Sequence, residues 1–142
     1  LALFATIGLT FILLKNFRLT TLAMVPVATA LALISAVTHL AGLALNIPSV
    51  IAAMVVVGIV SDYGMFMVYY CKYKYQTGTI IAVTLAAATT LIGAGVLLFA
   101  QHPVLFSIGV TLVTGVLSGY LSSLLVIPAL YRLWKEKANV SI

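Results

Sequence analysis

One acidic side chain stands in the middle of a long apolar segment. Asp62 lies within residues 55–70 (VVVGIVSDYGMFMVYY), and the only other acidic residue of the chain, Glu136, is close to the C-terminus. An ionised carboxylate at the centre of a membrane helix costs about 2.5–3.5 kcal/mol on insertion scales, so such a residue is a candidate functional residue by default. Its chemistry requires a hydrogen-bonding partner, for which Tyr63, Ser61 and hydroxyl groups on other helices are the candidates.

Other kinds of chemistry are not indicated by the sequence. It has no Ser-His-Asp arrangement, no His-Glu-x-x-His zinc motif and no glycine-rich phosphate loop, so we expect neither an enzyme nor a cofactor. The single cysteine, Cys71, excludes an intramolecular disulfide and a cysteine-based metal cluster. The seven basic residues fall in groups between apolar runs and in the C-terminal tail rather than on one face, which argues against a nucleic-acid partner.

The composition identifies the class of protein. Of the 142 residues, 64% are hydrophobic and only 6% are charged, and the mean hydropathy is +1.28. A soluble domain carries about 25% charged residues. There are too few polar side chains to cover a water-soluble globule, so the sequence predicts an all-α integral membrane protein in contact with membrane lipids.

Five apolar runs separated by short breaks predict five transmembrane helices. The first run is too short to cross the ~30 Å hydrocarbon core, and there is no initiator Met, so we expect the chain to be a piece of a larger protein. Short loops make neighbouring helices antiparallel. The predicted helices cover residues 1–14, 20–42, 49–71, 79–100 and 105–133, with a tail at 134–142.

The basic residues predict the orientation of the bundle. Basic groups follow the first, third and fifth runs, whereas the breaks at 42–49 and 101–106 contain no Lys or Arg. Alternating helices then place every basic group on one side, which the positive-inside rule identifies as cytoplasmic. The sequence therefore predicts a multi-pass protein whose C-terminus is cytoplasmic.

The fifth run carries a row of small residues at a strict four-residue interval. This spacing puts the row on one face of a helix, where small side chains let a second backbone approach closely and offer hydroxyl groups for hydrogen bonds. We predict helix packing along this row. Its members are Thr111, Gly115, Gly119 and Ser123.

A similar argument indicates what lies near Asp62. Gly58 stands four positions before Asp62 on the same helical face, so we predict a close helix approach there. Thr89 and Thr90 lie at a similar depth in the following run. We expect Asp62 to meet Thr89 or Thr90, or a serine of the fifth run.

These residues together carry a resemblance to a known family. The stretch GIVSDYGMF resembles the Gly-x-x-x-Asp-Tyr-x-x-Phe segment of the resistance-nodulation-division (RND) superfamily, and of its MMPL-type lipid exporters in particular. The break ALNIPSV before it, the Thr89-Thr90 pair followed by Gly93, and the stretch 106–133 look like the neighbouring segments of that family. The matching residues of the central motif are Gly58, Asp62, Tyr63 and Phe66.

The resemblance implies a proton-driven exporter of lipidic or hydrophobic substrates in a bacterial inner membrane. The chain would be the last five of twelve helices, working with a missing N-terminal half and extracytoplasmic domains. Asp62 and Tyr63 would form an intramembrane proton relay, with Thr89 or Thr90 as further donors. A low-dielectric site disfavours the charged carboxyl group. The two protonation states prefer different packings, which is what coupling requires.

A second function stays open at this stage. A sterol-sensing-like bundle of related shape would act as a lipid sensor or scaffold without transport, and Asp62 would then be a packing or ligand contact. A third alternative, an unrelated membrane enzyme subunit, would need catalytic residues that these runs lack.

Overall fold

The computed structural model describes residues 8, 10, 12, 17–42, 46–73 and 77–140, with backbone alone for 77 and 135–140. Apart from those three isolated residues near the N-terminus, this part of the chain forms four helices, each long and apolar enough to cross a membrane. An all-helical, multi-pass membrane bundle is confirmed for the residues described. The helices are α1 (Phe17–Leu40), α2 (Ile47–Tyr73), α3 (Thr77–Leu97) and α4 (Pro103–Val140).

The helix limits differ from the predicted ones mainly at two places. The predicted helix 1–14 lies mostly outside the described residues, of which Gly8, Thr10 and Ile12 are helical. The helix predicted to end at 133 continues to Val140, so most of the predicted tail is helical. The extension follows from composition, because no Gly or Pro occurs after Pro128 and Ala, Leu, Lys and Glu favour a helix.

The connection between α1 and α2 uses the turn residues that the sequence provides. Gly42 adopts a left-handed φ of 62°, and its N–H donates to the carbonyl of His39 at 3.2 Å, which caps the end of α1. The Asn46 carbonyl accepts from the N–H of Ser49 at 2.9 Å and so begins α2. Pro48 occupies the first turn of α2. N–H groups in the first turn have no acceptor within the helix, so the lack of an N–H in proline costs no hydrogen bond there.

The basic side chains converge at one end of the bundle. A hydrophobic cluster there joins the start of α1, the end of α2, the start of α3 and the last part of α4, through Leu19, Tyr70, Ile80 and Tyr131. The four helices therefore alternate in direction. We call this end the basic end, since it carries the described cations Arg18, Lys72 and Arg132.

Helix α4 is the centre of the bundle and packs against all three other helices, whereas α2 and α3 touch each other little. Its buried face is the predicted four-residue row, which begins one turn earlier than predicted, at Ser107. A side chain at Gly115 would stand 2.6 Å from Val56 Cγ1 and 2.7 Å from Ile34 Cδ1. Gly119 meets Val60 in the same way, and Ser123 is fully enclosed.

On α2 the close approach is at Gly64 rather than at the predicted Gly58. A Cβ at Gly58 would meet nothing within 4 Å, and its carbonyl accepts a hydrogen bond from Ser61 Oγ. A Cβ at Gly64 would collide with the backbone carbonyl of Ala23 in α1. The difference arises because α1 crosses α2 on the face opposite to the one that the sequence indicated.

The opposite end of the bundle is joined by a buried hydrogen bond that the sequence did not indicate. The hydroxyl oxygens of Ser49 in α2 and Ser107 in α4 lie 2.8 Å apart, and both side chains are buried. The Ser107 carbonyl also accepts from Thr111 Oγ1 at 2.9 Å. This pair fixes the register between α2 and α4 at the end of the bundle that lies opposite to the basic end.

The outward faces of the helices are apolar and have no protein partner among the described residues. Large aliphatic and aromatic side chains are exposed there along every helix. An apolar surface of this extent is compatible with a lipid environment, as expected for membrane-spanning helices. Examples are Leu33, Phe66, Ile92 and Leu125.

The two glycines of α2 give a matched test of this packing. We predict that Gly64→Ala destabilises the bundle by about 1–3 kcal/mol. The new methyl group would meet backbone atoms of Ala23, which cannot move aside by changing rotamer as a side chain can. Gly58→Ala is expected to be neutral or stabilising, since its methyl group enters open space and Ala favours a helix. Denaturant-induced unfolding in detergent micelles, followed by circular dichroism, measures both; equal effects would contradict the structure.

A double-mutant cycle tests the serine pair. Ser49→Ala and Ser107→Ala, alone and together, are expected to reveal a coupling energy of about 0.6 kcal/mol, the average for interhelical hydrogen bonds in membrane proteins. Unfolding of the unmodified chain and of the three variants in the same micelles supplies the four free energies of the cycle. Strictly additive effects would mean that the two hydroxyl groups do not bond in solution.

Candidate functional site

Asp62 lines a groove between α2 and α3. The groove exists because α2 and α3 both pack on α4 and leave a gap of about 540 Å³ between themselves. Most of its described wall is apolar, and among the described lining residues Asp62 and Tyr63 alone are ionisable. The lining residues are Ile59, Asp62, Tyr63 and Phe66 of α2, and Gly78, Thr79, Ala82, Val83, Ala86 and Thr90 of α3.

Helical periodicity explains how the walls are built. On α2, Ile59, Asp62 and Phe66 recur at intervals of three and four residues and so share a face. On α3, Ala82 and Ala86 repeat at four residues, and their small side chains keep the gap open. Small residues pack closely along α4, whereas on α3 they border a space.

Tyr63 is oriented into the protein beside Asp62. It is only 4% exposed and belongs to the buried cluster formed with Val60 and Val83. Its hydroxyl group makes no hydrogen bond within the part of the chain that the structure describes. A buried hydroxyl without a partner is costly, by about 1–3 kcal/mol, and therefore requires an explanation.

Thr90 brings a hydroxyl group from α3 to the groove that Tyr63 also lines. Its Oγ1 donates to the Ala86 carbonyl at 2.8 Å, which leaves its lone pairs able to accept a bond. The separation in this conformation does not meet the geometry of a hydrogen bond, since the Tyr63 hydroxyl stays without a partner. A small approach of α3 to α2 would let Tyr63 donate to Thr90.

Asp62 itself forms no hydrogen bond or ion pair with any side chain that the structure describes. Ser61, one of the candidate partners, donates instead to the Gly58 carbonyl of its own helix at 2.7 Å. The charged carboxylate therefore depends on water, on an additional partner or on a rearrangement of Tyr63 and Thr90.

Thr89 does not join the site. Its Oγ1 donates to the carbonyls of Leu85 and Ala86, both at 3.0 Å, and its side chain is exposed outside the groove lining. The reason is the rotation of about 100° per residue in an α-helix, by which only one of two successive threonines can face α2. Of the four predicted relay residues, the structure brings together Asp62, Tyr63 and Thr90.

Two other features were missed by sequence reasoning. Thr79 supplies a third hydroxyl group to the groove, besides those of Tyr63 and Thr90, and lies near the basic end. The spacing of Thr79, Ala82, Ala86 and Thr90 at three and four residues would have indicated it. Thr84 Oγ1 lies 3.1 Å from the Tyr120 hydroxyl and joins α3 to α4. No sequence signal indicates this pair, because it depends on how the two helices cross.

No group of three or more His, Cys, Asp or Glu side chains able to hold a metal ion occurs among the described residues. Comparison of the chain with protein-family models, with curated proteins and with solved structures finds no match.

A pair of tyrosine variants tests the unpartnered hydroxyl group. We predict that Tyr63→Phe leaves the unfolding free energy unchanged or raises it, because it removes a buried polar group without a partner. Tyr120→Phe breaks the contact with Thr84 and is expected to lower it by about 0.5–1.5 kcal/mol. Unfolding in micelles compares the two; a clear loss in Tyr63→Phe would show that its hydroxyl is bonded.

Proposed function

We propose that the chain is the transmembrane part of a proton-driven exporter of lipidic or hydrophobic substrates, of the RND type and MMPL-like, in which Asp62 binds and releases the proton. The observation that supports this most directly is an unpaired carboxyl group in an apolar groove, next to a buried tyrosine hydroxyl that lacks a partner. A permanently charged structural residue would be paired, because leaving a charge alone in a membrane is costly.

The proposed cycle uses the two hydroxyl groups beside Asp62. When Asp62 is protonated it is neutral, and the open groove of this structure is tolerated. When it loses the proton, the carboxylate draws in hydrogen-bond donors, and the Tyr63 hydroxyl is a buried one that lacks a partner. Tyr63 has a single O–H to give, so after movement of α3 toward α2 Thr90 would turn its own O–H from the Ala86 carbonyl to the Tyr63 oxygen. The two protonation states would thus favour two separations of the helices.

The position of the groove along the helices suggests the route by which a proton would leave Asp62. Its lining runs from Gly78 and Thr79, next to the basic end, to Thr90, a distance of about 18 Å along α3 at the helical rise per residue. We assign the basic end to the cytoplasm of a bacterial cell by the positive-inside rule. Protons would therefore leave Asp62 past Thr79 toward the cytoplasm and reach it from the opposite side.

A further part of the transporter is expected to cover α3. Only a small share of this helix is buried, and its exposed surface outside the groove lining includes Ala88 and Gly93. Small exposed residues allow close approach of a further helix. In the proposed pump, this surface faces the N-terminal half, which works with the extracytoplasmic domains that move the substrate.

Substitution of Asp62 tests the proposal in the complete polypeptide reconstituted into liposomes. Asp62→Asn keeps the shape of the side chain but carries no titrating proton, so we expect loss of substrate-driven proton movement and of export to the background rate. Proton flux is followed with a pH-sensitive dye inside the vesicles, and substrate release is measured in parallel. Retention of both activities in Asp62→Asn would refute the proposal.

The two neighbouring threonines provide a matched control. Thr90→Val removes a hydroxyl group that lines the groove, and we expect a several-fold slower proton flux. Thr89→Val removes one that faces away from it and is expected to change little. A different pair of results would favour a sterol-sensing-like sensor or scaffold. In that case the unmodified chain shows no proton flux under any condition, and Asp62→Asn abolishes lipid binding.

A further inference from the structure

Helix α3 lies between two tyrosine side chains that come from different helices. Tyr63 of α2 borders the groove on one side of α3, and Tyr120 of α4 reaches α3 from another side. The two rings belong to the same region of the core, because Tyr120 packs against the buried cluster that contains Tyr63. Tyr120 meets Thr84 of α3, whereas the Tyr63 hydroxyl has no partner among the described residues.

The contact at Tyr120 has a defined donor and acceptor. Thr84 Oγ1 donates its single O–H to the Ile80 carbonyl of its own helix at 2.8 Å. The Tyr120 hydroxyl oxygen lies 3.1 Å from the same Oγ1 and is therefore the donor of the bond between the two side chains. At this level of the bundle, α3 is thus held to α4 by the hydroxyl group of Tyr120.

Thr84 and the groove lie on opposite faces of α3. Thr84 stands two residues from both Ala82 and Ala86, which line the groove, and two residues correspond to a rotation of about 200° around the helix. Thr84 itself does not belong to the described groove lining. A shift of α3 toward α2 narrows the groove and therefore draws Thr84 away from Tyr120.

The far end of α3 is packed tightly against α4. The helix ends at Leu97, and a Cβ at Gly109 of α4 would lie 2.9 Å from Leu97 Cβ and 3.1 Å from its carbonyl carbon. Along the helix axis, Thr90 is about 10 Å from this contact and Thr84 about 20 Å. If α3 tilts about the Gly109 contact, Thr84 moves about twice as far as Thr90. A small approach of Thr90 to Tyr63 is then enough to break the bond at Thr84.

We propose that Tyr120 is a positioning residue, which keeps the groove open until the Thr84–Tyr120 bond is exchanged for a contact between Thr90 and Tyr63. Because one threonine–tyrosine contact replaces the other, the two positions of α3 differ little in hydrogen bonding, and a change at Asp62 can select between them. The link to Asp62 rests on the proposed function, whereas the exchange itself does not.

The width of the groove can be followed by disulfide formation between its two walls. Phe66→Cys on α2 and Ala82→Cys on α3 are introduced into a chain that also carries Cys71→Ser, so that no other thiol competes. A disulfide requires the two Cα atoms to come within about 7 Å. The rate of oxidation in liposomes therefore reports how often the groove narrows.

Tyr120→Phe and Thr84→Val each remove one partner of the bond, and we expect several-fold faster disulfide formation across the groove. Thr84→Ser keeps the hydroxyl group and should leave the rate as it is. Tyr63→Phe added to Tyr120→Phe should return the rate toward its original value, because the competing contact is then lost as well. A rate unaffected by Tyr120→Phe, or a double variant as fast as Tyr120→Phe alone, would overturn the proposal.

Two controls separate this exchange from a general loosening of the bundle. Thr89→Val removes a hydroxyl group of α3 that bonds only carbonyls of its own helix, and it should not change the rate. Cysteines at Ser49 and Ser107, whose hydroxyl oxygens lie 2.8 Å apart, report the contact between α2 and α4, and Tyr120→Phe should leave their oxidation rate unchanged. An equal acceleration in either control would contradict the proposal.

Asp62→Asn distinguishes failure of this proposal from failure of the proposed proton coupling. At one fixed pH, where the thiol chemistry is the same, the proposed function requires slower disulfide formation in Asp62→Asn than with ionised Asp62. If Asp62→Asn has no effect while Tyr120→Phe accelerates the reaction, the exchange stands and the proton coupling fails. If Asp62→Asn slows the reaction while Tyr120→Phe has no effect, the positioning role of Tyr120 is refuted.

Discussion

The contact between the small-residue face of α4 and the side chains of α1 and α2 is the interaction on which the bundle depends. Gly115 and Gly119 leave room for Val56, Val60 and Ile34 to reach the α4 backbone. In a membrane there is little hydrophobic force between helices, so close van der Waals contact of this kind has to supply much of the association energy. Helix α3 reaches the bundle through the same α4.

The groove around Asp62 is a consequence of that arrangement. Because α4 holds α2 and α3 separately, the two helices that carry the polar residues have little contact with each other. The contact that they do make is through the buried cluster that contains Tyr63 of α2 and Val83 of α3. A carboxyl group whose charge state alters the demand for hydrogen bonds is well placed to control that separation, and this is the physical basis of the proposed coupling.

The two ends of α2 have different roles in this view. One end is fixed to α4 by the Ser49–Ser107 hydrogen bond, within the protein. The other lies at the basic end, where Tyr70 packs against the hydrophobic cluster that joins the helix ends. Asp62 lies between these two contacts, and α3, which is less buried, borders it across the groove.

The sequence alone determined the class of the protein and the course of the chain. Composition and run length predicted membrane-spanning helices, and the spacing of Lys and Arg predicted that their basic ends come together, because hydropathy and charge act on each segment separately. The four-residue spacing of small residues on α4 likewise predicted the face of this helix that is buried. The family resemblance and the proton relay stay predictions.

The tertiary structure decided which residues meet, because that depends on how one helix is rotated and crossed against another. It placed the close approach of α2 at Gly64 and not at Gly58, since α1 lies on that side. It directed Thr90 into the groove and Thr89 away from it. It also showed that small residues of α3 line a groove. Spacing along one helix does not tell whether its small residues pack against a neighbour or border a space.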